Sequence, residues 1–156
     1  MRLGDLVLAL VLAAAPAIAS AQDSGLYSDE QVLLKQVMAD KKAVYAKNLG
    51  LTASESAAFW PIYDDYEAKV KKLDDRFLVN LNTFAEQYDT LSEDAAAGIL
   101  KEKMAIEKER AALKQAYTKK FAKALPPKKA LRYAQLETRI ENLIRRDVYG
   151  IIPLAN

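Results

Sequence analysis

The sequence predicts an all-α protein built from four long helices. Glycine and proline number only five each among 156 residues, so tight turns are few and the elements between them must be long. Serine or threonine followed three residues later by glutamate or glutamine recurs at positions typical of helix starts. After these starts, apolar side chains repeat every three or four residues, which is the period of an α-helix.

The first segment has the pattern of a secretory signal peptide, over residues 1–21. Arg2 gives it a basic start, and Leu6–Ala15 is an unbroken apolar run of ten residues. A helix that spans a bilayer needs about 20 such residues. Two small-x-small sites follow, and we expect cleavage after Ala21; an uncleaved membrane anchor is the alternative. The sequence therefore predicts export without stable membrane insertion, with one all-helical domain over residues 22–156.

The composition argues against most classes of enzyme. The chain has no cysteine and no histidine, which removes disulfides, thiol nucleophiles, Ser-His-Asp triads and zinc sites built on Cys or His. No two glycines lie close together, so a glycine-rich phosphate loop is absent. We therefore expect no catalytic residue, no cofactor and no metal site.

Local signals place the first two helices. Ser28–Gln31 forms a capping box, in which the serine hydroxyl and the glutamine side chain satisfy each other's backbone amides. Helix 1 is predicted to run from there to about Asn48, and Gly50 is a natural left-handed residue after its end. Thr52 and Glu55 form the second capping box, from which helix 2 is predicted to run to about Tyr88.

Two further signals place helices 3 and 4. Leu91 and Ser92 precede a pair of acidic residues, which favours a helix start because the amino end of a helix is positive. Helix 3 is predicted to end near Ala124, where a proline pair follows. Pro127 suits the first turn of helix 4, which is predicted to end near Val148.

Helix 2 carries a continuous apolar stripe. Its members are spaced three or four residues apart: Phe59, Tyr63, Tyr66, Val70, Leu73, Phe77, Leu81, Phe84 and Tyr88. A helix over residues 53–88 would be about 54 Å long, at about 1.5 Å per residue, which is too long for a compact domain of this size. This length favours an antiparallel homodimer.

A proline lies inside that helix. Pro61 removes one intrahelical hydrogen bond and crowds the preceding turn, which predicts a kink near Ala57–Trp60. The surrounding aromatic run, Phe59, Trp60, Pro61 and Tyr63, could form a ligand cage. The favoured interpretation is a hydrophobic anchor where helices 1 and 2 meet.

The apolar stripe of helix 3 is interrupted by cations. Ile99, Ile106 and Leu113 lie on it, yet Lys103 and Arg110 fall in its gaps. Such a stripe suits a thin helical layer with one face open to solvent.

Charge is distributed unevenly along the chain. Residues 22–100 have a net charge of −6, whereas residues 101–146 have a net charge of +9. Either the two halves pack against each other, within one chain or across a dimer, or helices 3 and 4 expose a basic surface to an acidic partner. The candidate contact residues of that surface are Lys114, Lys120, Arg132 and Arg139, with Tyr117 beside them.

The remaining charged patterns have simpler interpretations. The carboxylates of helix 2 lie four residues from lysines, at Asp65–Lys69, Glu67–Lys71 and Lys71–Asp75, which favours a solvated salt-bridged face over a cation site. The basic stretch Lys114–Arg146 has no known nucleic-acid motif, so we expect no nucleic-acid partner. Attachment to anionic lipid or another envelope polyanion is a further alternative.

The helix-start motifs resemble a known family. Leu51-Thr52-Ala53-Ser54-Glu55 resembles the LTxxQ motif of the Spy/CpxP family of small periplasmic helical proteins, with Glu in place of the final Gln. Leu91-Ser92 resembles a degenerate second copy. The resemblance covers roughly residues 30–150. It implies a periplasmic, cradle-shaped antiparallel dimer of four-helix chains. Members include ATP-independent chaperones, accessory proteins of envelope-stress signalling, and metal binders whose usual His ligands this chain lacks.

The sequence therefore favours an exported, ATP-independent, chaperone-like protein that binds unfolded or stressed envelope proteins. The alternative is a non-enzymatic regulatory or adaptor protein that docks on one envelope-stress sensor or structural partner.

Overall fold

The computed structural model describes residues 39–155, of which 89% are helical and none lies in a strand. The all-α prediction with four helices is therefore confirmed for this part of the chain. The described part of α1 covers residues 39–49, and the other elements are α2 (Ala53–Gln87), a 3-10 turn (Tyr88–Thr90), α3 (Glu93–Ala124) and α4 (Pro127–Tyr149). The predicted signal peptide and the predicted helix start at Ser28 lie outside the described residues.

The capping box of α2 forms as predicted. Thr52 Oγ1 accepts a hydrogen bond from the backbone amide of Glu55 at 3.3 Å. Glu55 Oε2 in turn accepts one from the backbone amide of Thr52 at 2.8 Å. Two amides that the helix itself leaves without a partner are thereby satisfied, which fixes where α2 begins.

The other helix boundaries follow the predicted signals closely. Gly50 has a φ of 55°, the left-handed conformation that favours glycine, and it directly follows α1. Ser92 Oγ accepts a hydrogen bond from the backbone amide of Ala95 at 3.2 Å and so caps α3. Pro127 is the first residue of α4, as predicted.

Pro61 lies inside α2, which is 35 residues long. At about 1.5 Å per residue, this helix has a length of about 52 Å. The kink near Ala57–Trp60, the cradle shape and the dimer stay predictions.

The described residues form two compact units. One unit comprises residues 39–48 with Gln135–Pro153, and the other comprises Leu49–Ala134 with residues 154–155. In the larger unit α2 and α3 pack as an antiparallel hairpin, since Tyr66 meets Tyr117 whereas Asn80 bonds the carbonyl oxygen of Ile99. The single domain predicted over residues 22–156 stays a prediction.

The smaller unit has a polar group in its core. Glu137 is 5% exposed, and its carboxylate accepts a hydrogen bond from the fully buried hydroxyl of Tyr45. Lys41 Nζ lies 3.6 Å from the same carboxylate. Val44, Ile140 and Leu143 bury their side chains in this unit too. The buried carboxylate is therefore compensated by a hydroxyl and an ammonium, as burial of a charge requires.

Candidate functional site

Aromatic side chains form the core of the larger unit around Phe59. Phe59 is fully buried, and its ring centroid lies 5.0 Å from that of Phe121 on α3 and 5.6 Å from that of Tyr133 on α4. Trp60 and Tyr63 lie 4.9 Å and 5.7 Å from it on α2 itself. The aromatic run therefore packs against α3 and α4, through two ring contacts that the sequence pattern did not indicate. Its role as an anchor where helices 1 and 2 meet stays a prediction.

A polar cluster lies beside this core, at Tyr117. The Tyr117 hydroxyl donates to the Asp65 carboxylate and accepts from the Lys69 ammonium. The Lys120 ammonium lies 4.0 Å from the centroid of the Tyr117 ring and 3.9 Å from Asp65 Oδ2. The Lys69 ammonium, and after it the Tyr117 hydroxyl, hold the pKa of Asp65 below its ordinary value. Asp65 and Tyr117 together raise the pKa of Lys69, so both charges persist at neutral pH.

The candidate contact residues differ in how much surface they present. Tyr117 is only 3% exposed, so its ring faces the core. Lys114 is half-buried, whereas Lys120, Arg132 and Arg139 are exposed. The structure thus brings Lys120 and Tyr117 together, while Arg139 belongs to the smaller unit.

Ion pairs join the acidic and basic halves within one chain. Arg110 on α3 lies 2.6 Å from Asp74 on α2. Arg76 reverses the pattern, because it is a cation of the acidic half that bonds Glu102 at 2.9 Å and Glu109 at 2.7 Å. Glu102, followed by Glu109, raises the pKa of Arg76. The pair of Arg110 with Asp74 therefore offsets part of the opposite charge of the two halves, across the α2–α3 hairpin.

Two of the three ion pairs predicted on the face of α2 are present. Lys69 bonds Asp65 at 2.7 Å, and Lys71 bonds Asp75 at 2.8 Å. Among residues 39–155, no three His, Cys, Asp or Glu side chains gather in a way that could hold a metal ion. No helix within the described part of the chain has the length and hydropathy needed to cross a membrane.

Exposed apolar side chains on α3 were missed by the sequence reasoning. Leu100 is 56% exposed and Met104, one turn further on, is 62% exposed. Lys101 and Lys108 are exposed next to them. The sequence does contain a signal for this pair, because Leu100 and Met104 are apolar and four residues apart. They lie next to the stripe that contains Ile99 and Ile106, and the stripe alone was considered.

No protein-family model, no curated protein and no solved structure matches this chain. The resemblance to the Spy/CpxP family therefore stays a prediction from the motifs at Leu51-Thr52-Ala53-Ser54-Glu55 and Leu91-Ser92.

Proposed function

We propose that this protein is an exported, ATP-independent, non-enzymatic chaperone that binds unfolded or stressed envelope proteins in the periplasm. The observation that carries the proposal is the exposed pair Leu100 and Met104, flanked on α3 by the exposed cations Lys101 and Lys108. An unfolded client exposes apolar side chains and acidic segments at the same time. A surface that offers apolar and cationic groups side by side fits both.

Two forces act over different distances in this proposal. Attraction between cations and acidic segments reaches about 8 Å at physiological ionic strength, so it speeds capture. Contact with Leu100 and Met104 then retains the client, because burying an apolar side chain completely is worth about 1.5–3 kcal/mol. Met104 is unbranched and adapts its shape to different clients. No nucleotide is needed for either step.

The basic residues singled out from the sequence belong to the capture step. Lys120, Arg132 and Arg139 are exposed, and Lys114 is half-buried. Tyr117 contributes through Lys120, whose ammonium lies over its ring.

The proposal includes an antiparallel homodimer with a kinked α2 and a cradle shape. Its support is the second half of the α2 stripe, which one copy of the chain leaves only half-buried at Phe77, Leu81, Phe84 and Tyr88. A second copy would cover these side chains and pair the remaining opposite charges. Sedimentation at micromolar concentration, at low and high salt, tests the dimer; a strict monomer throughout contradicts it.

The function is tested by suppression of aggregation with several unrelated unfolded proteins. We expect Leu100→Ser with Met104→Ser to reduce suppression several-fold, whereas Leu154→Ser, a control at a side chain that is 87% exposed, leaves it unchanged. A second variant changes Lys114, Lys120, Arg132 and Arg139 to Ser and slows capture at low salt. Substitutions at exposed positions usually change the free energy of unfolding by within about 0.5 kcal/mol, so a melting curve separates lost binding from lost folding.

Two results contradict the proposal. If both variants protect clients as well as the parent protein does, neither surface binds them. If the parent protein binds one folded envelope protein and no unfolded chain, the adaptor alternative replaces the chaperone.

A further inference from the structure

A strongly basic region surrounds the turn between α3 and α4. Residues 111–134 contain seven lysines and arginines and no aspartate or glutamate. All of them belong to the larger unit of the fold. These cations must therefore pair with acidic groups from other segments or remain exposed to solvent.

Three of these seven cations have interaction partners. Lys129 bonds the Glu55 carboxylate at 2.5 Å and the carbonyl oxygen of Gly50 at 2.7 Å. Lys120 belongs to the polar cluster at Tyr117, and Lys114 is half-buried with further contacts.

The other four cations are exposed, and none forms an ion pair with another residue of the range 39–155: Lys119, Lys123, Lys128 and Arg132. Leu131, which is 59% exposed, lies between two of them in the chain. We call these four cations together with Leu131 the basic turn.

The basic turn lies on the outward faces of its two helices. Phe121 and Tyr133 point inward, since both rings pack against Phe59. Lys119 and Lys123 each lie two residues from Phe121, and Leu131 lies two residues before Tyr133, so all three are rotated by about 200° from the buried side chain. A broad surface can therefore reach them without displacing the aromatic core.

The charge of Lys128 does not stabilise α4, the helix in which it lies. Lys128 lies in the first turn of α4, which contains no acidic residue. A cation near the positive amino end of a helix is unfavourable. Lys129, in the same turn, is compensated by Glu55. Lys128 has no such compensation among the described residues, which points to a partner outside the chain.

We propose that the basic turn binds the surface of an anionic phospholipid bilayer. Lysine and arginine place their charges at the level of lipid phosphates while their aliphatic stems lie against the acyl boundary. Leu131, exposed among these cations, supplies an apolar side chain that enters this boundary. Four cations and one leucine give reversible attachment, not insertion, which agrees with the absence of a membrane-spanning helix from residues 39–155.

The basic turn is separate from the exposed pair Leu100 and Met104, although one of its cations, Arg132, is also among the residues proposed for capture of clients. Lys119 follows Met104 by fifteen positions on α3, which places them about 22 Å apart along the helix at about 1.5 Å per residue. The lipid proposal therefore stands whether or not Leu100 and Met104 bind clients, and separate variants test the two.

The test is vesicle co-sedimentation of the protein purified from cells. Binding to phosphatidylcholine vesicles that contain phosphatidylglycerol is compared with binding to phosphatidylcholine alone, which also measures any contribution of the N-terminal apolar segment. Each cation near such a surface strengthens binding about five-fold, so Lys119→Ser with Lys123→Ser and Lys128→Ser lowers the partition coefficient about 100-fold at low salt. The matched control, Lys72→Ser with Lys101→Ser and Lys108→Ser, removes the same charge elsewhere and weakens binding far less.

Two further measurements test the charges and the apolar side chain of the basic turn separately. High salt releases the parent protein from the anionic vesicles, a result that needs no variant and so does not depend on a variant's folding. Leu131→Ser weakens binding several-fold with an unchanged salt dependence. Equal loss in the triple variant and its control overturns the basic turn as a specific site. If polyglutamate binds the parent protein through the same three lysines and anionic vesicles do not bind, the partner is an acidic protein and the lipid proposal is wrong.

Discussion

The ammonium of Lys129 lies 2.5 Å from the carboxylate of Glu55, although 74 positions separate the two residues in the chain. Glu55 also accepts a hydrogen bond from the backbone amide of Thr52. One carboxylate therefore caps α2 and also binds the first turn of α4 through Lys129. A glutamine at position 55 could serve as the cap but could not balance the charge of Lys129. The pair therefore gives Glu55 a role that glutamine at this position could not fill.

This pair predicts a loss of stability in acid. The Lys129 ammonium, and after it the Thr52 amide, lower the pKa of Glu55 from its ordinary value of 4.5. Because the pKa is lower in the folded state than in the unfolded state, the pair stabilises the fold above the unfolded pKa, and this contribution is lost as pH falls through the folded pKa. We expect the melting temperature to fall on acidification below about pH 5, and to fall less steeply in Glu55→Gln.

Thermal circular dichroism at a series of pH values measures this effect. Glu86→Gln, which changes an exposed carboxylate of the same helix, should leave the pH dependence as it is in the parent protein. Identical slopes for Glu55→Gln and the parent protein would show that the pair with Lys129 contributes nothing.

Phe59 should be far more important for stability than another phenylalanine of the same helix. Phe59 is fully buried among rings from three helices, so Phe59→Ala is expected to cost about 3–5 kcal/mol in free energy of unfolding. Phe84 is only half-buried, and Phe84→Ala should cost clearly less. Urea unfolding of the two variants at low protein concentration measures the difference. Equal costs would place the core of the larger unit elsewhere.

The hydroxyl of Tyr117 should contribute to stability through the polar cluster. Tyr117→Phe keeps the buried ring but removes the group that bonds Asp65 and Lys69, and we expect a cost of about 1 kcal/mol. The pKa of Asp65 should rise in the same variant, because Tyr117 is one of the groups that lower it. Chemical unfolding and an NMR titration of the carboxyl group measure the two effects. Tyr149→Phe, at the exposed end of α4, is the control, and an unmoved Asp65 pKa would argue against the bond.

Export should shorten the protein at its N-terminus. We expect cleavage after Ala21, because the short apolar run and the small-x-small sites before it are typical of a signal peptide. Intact-mass measurement of protein from the cell envelope should therefore give a chain that begins at Gln22. Retention of residues 1–21 would favour the membrane-anchor alternative.

The sequence by itself determined where the helices begin and end. The signals that do this act within one turn: Thr52 bonds the amide of Glu55, Ser92 bonds the amide of Ala95, and Gly50 adopts a positive φ. Each of them depends on residues no more than three or four positions apart, so the order of residues is enough to predict them.

Only the tertiary structure decided which parts of the apolar stripes are buried and which charges are paired. The α2 stripe is uniform in sequence, yet Phe59 is fully buried whereas Phe84 is half-exposed, because α3 and α4 both contribute rings near one end of α2. Periodicity fixes the face on which a side chain lies, but its burial depends on what other helices bring to that face. The pairing of Lys129 with Glu55 has the same origin, because it joins two helix starts that only the packing of distant segments brings within hydrogen-bond distance.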